Sequence, residues 1–385
     1  MRMLKVLILP KPMSQFMKNN TSLNKLESFD KMMQKKTSSM LGYPINTAQE
    51  YRDLYRFFDY SLINLGDPFV PSSYRINSEQ FELEVLQFFA KLYKMPARDS
   101  WGYITSGGTE GNTHGIFVGR ELYPDALLYF SKDTHYSISK IARLLNIQTV
   151  LVESQKNGEI DYTDLEKKIQ KNKHLPVILN LNIGTTMKGA IDNVDAVVAI
   201  LKRNNIRKYH IHCDAALFGM ILPFVKGASR VDFQQPIGSL AISGHKFIGT
   251  HMPCGIALCR KQLVKWIETP IDYIGTHDTT ITGCRNGHTP LFLWYAIQKR
   301  GLKGFSKEAH DCISNAKYLA EKLKKIHWPY FLNRFSNTVL FKKPSMKIIT
   351  KWQLAVSRDW AHIVVMQSVT KESIDRFISD LILTA

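Results

Sequence analysis

Between Trp101 and Cys259 short apolar runs alternate with helical patterns, and this alternation restricts the fold more than any other feature of the sequence. The runs are "ALLYF", "TVLVES", "PVILNLN", "YHIHC", "SLAIS" and "GIALC". Short segments rich in Leu, Ile and Val read as strands buried on both faces. Between them "ISKIARLLN", "YTDLEKKIQ" and "NVDAVVAILKRN" repeat apolar residues at helical spacing. Strands separated by helices need crossover connections, so the expected architecture is α/β, with a mainly parallel sheet covered on both faces. In such sheets ligands sit beyond the carboxyl ends of the strands. The polar residues that follow each strand are therefore the candidates for chemistry.

The flanks are different. Residues 1–75 are largely irregular, with aromatic-rich pieces such as "EYRDLYRFFDYSL" that fit amphipathic helices wrapping a partner. The opening "MRMLKVLILPKPM" reads as a basic, partly disordered arm, its apolar run stopped at Pro10 and too short for a secretory signal. "SEQFELEVLQFFAKLY" predicts a helix over Ser78–Tyr93, with Ser78 as its cap and Phe81, Val85, Phe88, Phe89 and Leu92 on one face. After residue 300 a helix ("ISNAKYLAEKLKKI"), two strands ("NTVLFKKP", "HIVVMQS") and a last helix ("KESIDRFISDLIL") form a small α+β unit. The expected division is thus an arm and wrapping segment (1–75), a large α/β domain (76–300) and a small C-terminal domain (301–385).

Composition narrows the function classes. With 44% hydrophobic and 22% charged residues, the chain has the make-up of a globular protein. No apolar run approaches the roughly 18 residues of a membrane-spanning helix. Five cysteines without a CxxC pair read as free thiols in a reducing cytosol, so a cytoplasmic location is expected. The net charge of +18 is spread through "EKKIQKNKH", "RKYH" and "EKLKKIH". There it alternates with apolar residues, as on a solvated helix face, rather than forming a nucleic-acid stripe.

Three stretches lie where a ligand site belongs. In "ITSGGTEGNTHG", Ser106, Gly107, Gly108 and Thr109 precede a helical pattern. Glycines let the backbone approach a ligand, and a helix start offers free N–H groups to a phosphate. A capped tight turn explains this stretch equally well, and it is neither a Walker A loop nor a GxGxxG fingerprint. In "YHIHCDAALFG", Asp214 ends a buried strand ahead of Ala215 and Ala216. A carboxylate there needs a cation, such as a protonated pyridine nitrogen, or strong donors within the core. His210 and His212, two apart on one strand face, could ligate zinc, although no third ligand stands at a usual spacing.

In "SGHKFIG", Lys246 follows a strand beside His245 and small residues. An isolated lysine is ordinarily a solvated surface charge. Partial desolvation would instead favour the neutral amine, the form that makes a Schiff base. Phosphate loop, buried aspartate and lysine, in that order, are the three anchors that pyridoxal phosphate needs.

With these stretches on the page, the sequence resembles the pyridoxal-phosphate-dependent group II amino-acid decarboxylases. Within that group it is most similar to the short bacterial histidine decarboxylases. The resemblance is carried by "GYPIN", "WGYITSGGTEGN", "YFSKDTHYSISKIARLL", "NIGTTMKGAIDN", "HCDAALFGMILPF", "SGHKFIG", "PCGIALCRK" and "IDYIGTHDTTITGCRNGHTPLFLW". It is strong over about residues 42–300. Plant serine decarboxylases are similar too, notably over "NIGTTMKGAIDN" and "PIGSLAISGHKFIGTHMPCG".

The resemblance implies fold type I, decarboxylation of an amino acid and a homodimer or homotetramer, since the family builds its sites between subunits. L-Histidine is the implied substrate and L-serine the alternative. A different pyridoxal phosphate reaction, or a nucleic-acid binder, would be told apart by the products or by salt-dependent binding. Lys246 is the implied Schiff-base lysine, and Asp214 the partner of the ring nitrogen. His135 would stack on the ring near the substrate carboxylate, though alone it reads equally as a helix cap. Gly107, Gly108 and Thr109 would hold the phosphate with Ser243 and His245, while Thr185 and Ala216 line the cofactor. Tyr273 sits where relatives carry a mobile-loop proton donor; a packing tyrosine is the plainer reading. One departure stands out: Cys284 replaces the usual serine of "GSRNG", which commonly reaches the phosphate of a neighbouring subunit.

Overall fold

A computed structural model of the chain describes residues 20–383, and the basic arm lies outside them. Helix α1 (Asn20–Thr37) and a 3-10 helix (Arg52–Asp59) precede β1 (Ile63–Leu65). The aromatic-rich segment packs partly on its own chain: Tyr51 is buried, its ring centroid 4.9 Å from that of Phe292. Its outer face leaves Tyr55, Phe58 and Tyr60 exposed.

Helix α2 (Glu79–Leu92) lies where the apolar stripe predicts it. Ser78 precedes it but does not cap it. Its hydroxyl donates instead to the Gly287 carbonyl at 2.6 Å and to Asn64 Oδ1 at 3.2 Å. These bonds to distant segments turn the hydroxyl away from the first-turn N–H groups it would have to accept from, so the capping expectation fails.

The large sheet comprises β2 (Ser100–Thr105), β3 (Leu127–Ser131), β4 (Thr149–Val152), β5 (Val177–Asn182), β6 (Tyr209–Asp214), β7 (Ser239–Ser243) and β8 (Gly255–Arg260), in the order β2-β8-β7-β6-β5-β3-β4. Helices α3 (Gly108–Leu122), α4 (Ser137–Leu144), α5 (Tyr162–Lys171) and α6 (Val194–Arg203) cross between strands. β3 to β7 pair in parallel, whereas β8 is antiparallel to both neighbours. Only one short π-helical turn (Gly244–Ile248) lies between β7 and β8. A parallel crossover needs a dozen residues or more, usually with a helix, so the chain simply reverses. β2 is the large-sheet strand missing from the sequence reading. Gly102 interrupts its apolar run.

α3 lies flush on the sheet because Gly111, Gly115 and Gly119 share one helix face. A β-carbon at Gly115 would fall 2.1 Å from His212 Nδ1. The buried rings of His210 and His212 fill this seam. Both sit on the Ser239 hydroxyl, at 3.1 and 2.8 Å, and His212 Nε2 donates to Asn112 Oδ1 at 2.9 Å. Those partners occupy both ring nitrogens of His212 and Nε2 of His210, and no group of three metal-capable side chains occurs among the described residues.

Beyond the sheet come α7 (Lys261–Val264), the hairpin β9 (Thr269–Ile271)–β10 (Thr276–Asp278), and β11 (Cys284–Asn286), which pairs with β1. Helix α8 (His288–Lys325) kinks at Gly301, φ 56°. The C-terminal part holds β12 (Tyr330–Leu332), β13 (Thr338–Lys342), α9 (Met346–Trp352), β14 (Ala355–Ser357), β15 (Trp360–Val364) and α10 (Lys371–Leu383). Its antiparallel sheet, β12-β13-β15-β14, encloses a second core that includes Val339, Phe341, Trp352, Ile363 and Phe377. No helix among the described residues is long and apolar enough to cross a membrane.

Candidate active site

The start of α3 meets the ends of β6 and β7. Gly107 has φ 155° and ψ 177°, backbone angles essentially confined to glycine. The Ser106 backbone N–H and hydroxyl both donate to Glu110 Oε2, at 2.8 and 2.6 Å, closing the loop on the first helical turn. A β-carbon at Gly108 would stand 2.7 Å from Ser243 Oγ and 2.9 Å from the Ala216 β-carbon. One at Gly107 would stand 3.8 Å from the His245 ring. Gly107, Gly108, Ala216, Ser243 and His245 therefore converge, with Thr109 exposed in the first turn. The first N–H groups of a helix lack helical partners, so this end of α3 suits an anion.

Asp214 is the buried last residue of β6, opposite Asn182 and Ala241, and its Oδ1 accepts the Ala216 N–H at 3.1 Å. Lys246 lies on the π-helical turn directly after β7. Asn46 pins that turn, its side-chain amide donating to the Phe247 carbonyl at 3.0 Å and its backbone N–H to the Lys246 carbonyl at 3.2 Å. Burial holds the Lys246 amine below its usual pKa, and the Asp214 carboxylate opposes the shift.

His135 stands between the same charges. Burial lowers its pKa, Asp214 raises it, and Lys246 and Lys140 lower it further. Its Nδ1 accepts the Ser137 backbone N–H at 3.3 Å, which leaves Nε2 to carry the ring proton. Burial likewise lowers His245, against the Cys254 backbone. Thr185 is buried on the loop after β5, its hydroxyl oxygen accepting the Ala190 N–H at 3.0 Å.

Two sequence candidates stand apart. Tyr273 is 86% exposed on the turn between β9 and β10, where its carbonyl accepts the Ser73 hydroxyl. Cys284 is exposed on β11.

The sequence reading missed the buried carboxylates Glu110, Glu82 and Asp192. Glu110 supports the loop described above. Glu82 accepts the Ile104 N–H at 2.8 Å and pairs with buried Arg285 at 3.1 Å. Its signal was available: Glu82 stands three residues before Val85, on the apolar stripe of α2. Asp192, in "GAIDN", accepts the Ile160 N–H at 2.7 Å and, from Asn182, the backbone N–H at 2.7 Å and the side-chain amide at 2.9 Å. It thereby ties the end of β5 to the Thr185 loop.

Residues 80–340 match the pyridoxal-dependent decarboxylase conserved domain. The chain belongs to that family.

Histidine decarboxylase of Morganella morganii is 44% identical over 93% of this chain and 96% of its own length. Serine decarboxylase 1 of Oryza sativa subsp. japonica is also 44% identical, over 90% of this chain and 72% of its own length. Among solved structures, L-methionine decarboxylase from Streptomyces sp.590 aligns with a TM-score of 0.85 at 25% identity, covering 95% of this chain and 96% of that one.

This decarboxylase therefore has the expected fold-type-I architecture, and it is a pyridoxal-phosphate-dependent carboxy-lyase acting on an amino acid. Its residues fit that cofactor. Gly108, with no room for a β-carbon, packs on Ser243 and Ala216, which stand just before the half-buried Lys246 and just after the buried Asp214.

Proposed function

We propose that this decarboxylase converts L-histidine to histamine and carbon dioxide. The observation that favours histidine is coverage: the Morganella histidine enzyme is matched along nearly all of its length, the rice serine enzyme along less. L-Serine, giving ethanolamine, is the second reading, because the identities are equal.

In this reading the Lys246 amine, kept neutral more readily by burial, is the point of covalent attachment. The N–H groups of Gly108 and Thr109 receive the phosphate at the α3 N-terminus, with Gly107, Ser243 and His245 around it. Asp214 holds a proton on the ring nitrogen, and Ala216 and Thr185 confine the ring. His135, its protonation disfavoured by burial, would lie beside the bound cofactor and orient the substrate carboxylate. Bound pyridoxal phosphate supplies an electron sink for the pair left when carbon dioxide departs.

The return of a proton to the α-carbon is assigned to Tyr273. Because Tyr273 is exposed on the single chain, this assignment calls for an assembly in which the β9–β10 hairpin of one subunit closes over another subunit's site. The exposed Tyr55, Phe58, Tyr60 and Phe69 support a homodimer or larger homo-oligomer. Cys284 is assigned to the neighbouring subunit's phosphate, where a thiol is a weaker donor than the usual serine hydroxyl.

The test is direct. Purified protein saturated with pyridoxal phosphate is offered L-histidine and L-serine separately, and the amine and carbon dioxide are measured. Histamine as the faster product supports the proposal; faster ethanolamine formation replaces it with the second reading.

A further inference from the structure

We infer that Glu110 is a positioning residue for the phosphate end of the site, and that through it the segment Thr279–Asn286 sets cofactor affinity. This rests on the proposed assignment of the α3 N-terminus to the phosphate. Four donors converge on this one buried side chain. Oε2 takes the Ser106 N–H and hydroxyl, while Oε1 takes the Tyr103 hydroxyl at 3.0 Å and the Thr282 hydroxyl at 3.1 Å. The Ser106 bonds fix the residue immediately ahead of Gly107, so the direction of the following N–H groups depends on where Glu110 sits. The Thr282 bond ties that position to a segment far away in sequence.

The attachment is reinforced on both sides. His114 shares the Glu110 face of α3, and its Nε2–H donates to the Thr279 carbonyl at 3.1 Å. The Thr279 hydroxyl in turn donates to Asp67 at 3.0 Å. At the far end, Arg285 pairs with Glu82, whose other oxygen accepts the Ile104 N–H of β2, the strand that leads into the glycine loop. α3 thus uses one face to lie on the sheet and another to grip Thr279–Asn286. Glu110 is the point at which the gripping face also touches the phosphate loop.

An amide at position 110 would keep one acceptor oxygen and turn an NH2 group toward donors. That mispairing leaves donors of the network without an acceptor. The loss should appear in phosphate recognition and not at the Lys246 end. The test therefore compares three probes on the cofactor-free protein: pyridoxal phosphate, pyridoxal without its phosphate, and inorganic phosphate.

Glu110→Gln is expected to weaken pyridoxal phosphate and inorganic phosphate by about tenfold, leaving pyridoxal within about twofold. Thr282→Val, which removes only a hydroxyl, should weaken the same two probes by about two- to fivefold, and it decides the matter if Glu110→Gln does not fold. Unchanged phosphate affinity, or pyridoxal weakened as much as pyridoxal phosphate, overturns the inference. If the unaltered protein bound no pyridoxal phosphate, the cofactor-site assignment would fall instead, and the inorganic phosphate comparison would still judge Glu110.

Discussion

Gly108 and Ser243 lie so close that a β-carbon on the glycine would stand 2.7 Å from the serine oxygen, with the Ala216 β-carbon 2.9 Å away on the other side. The end of β7, the residues after β6 and the start of α3 are therefore one packed unit. Side-chain volume at residue 108 controls how these three elements meet.

Gly108→Ala is the corresponding test. The added methyl must displace either α3 or the end of β7, because both neighbours belong to buried backbone segments. Overpacking of this kind costs about 1–3 kcal/mol. The expected outcome is a lower urea midpoint together with cofactor binding weakened by about tenfold or more. An alanine variant that binds pyridoxal phosphate like the parent would show that the helix start does not serve the phosphate.

Lys246→Met should abolish turnover and the visible absorbance of the bound cofactor, while making the cofactor-free protein more stable. The sign follows from the lowered folded-state pKa of the amine. In the unfolded chain the lysine holds its proton up to about pH 10.4. Folding at neutral pH must either desolvate the ammonium or release its proton, and either costs free energy. That cost is fully present below the folded pKa and fades as pH rises through it toward the unfolded value. Methionine has no such cost and keeps a similar apolar stem. The melting midpoint of the cofactor-free variant should thus exceed the parent's by a few degrees at pH 7, with the gap closing in alkali. A variant less stable at pH 7 would mean that Lys246 is not paying for desolvation.

Much of this site was legible in sequence because its parts are local. Glycine pairs, an aspartate ending a strand and a lysine starting a turn each stand out against apolar neighbours within a few residues. What links those parts was not legible. Glu110 and Thr282 are 172 residues apart, and Glu82 and Arg285 are 203 apart. Glu110, Thr282 and Arg285 look like ordinary surface polar residues in sequence; the fold buries Glu110 and Arg285 and brings the exposed Thr282 against Glu110, whereas only Glu82 carried a signal, its place on the apolar stripe of α2. The Ser78 cap failed for the same reason, since donation to the distant Gly287 carbonyl turns its hydroxyl away from the helix N–H groups. β2 escaped notice because Gly102 weakens a short strand whose pairing with β8 is decided by tertiary structure. Tyr273 and Cys284 lie outside the cluster in a single chain, so no pattern local to one chain could have placed them.

The glycine face of α3 leads to a final prediction, acid lability. Burial lowers His114 and His210 to about 4, and His212 well below its ordinary value. His362, buried on β15, is also lowered to about 4. Between pH 6.5 and 4 the unfolded chain therefore takes up protons that these folded-state rings refuse. The stability they contribute is whole above about pH 6.5 and is lost as pH falls toward 4, by about 3 kcal/mol at most for each ring shifted to 4. Asp192 acts in the opposite sense. Burial raises it to about 7 against its three hydrogen bonds, so its contribution is present in acid and lost as pH rises through 7. Four histidines outweigh one aspartate, and unfolding free energy should fall steeply from pH 6.5 to 4.5. His114→Phe keeps a flat ring stacked on Trp101, whose centroid lies 5.0 Å from the imidazole at an interplanar angle of 15°, and removes one proton sink. Urea titrations across that pH range should give the variant a shallower acid slope, at the cost of lower stability at pH 7.5 because the Thr279 carbonyl loses its donor. Equal slopes for variant and parent would mean that His114 takes up its proton in the folded chain as easily as in the unfolded one.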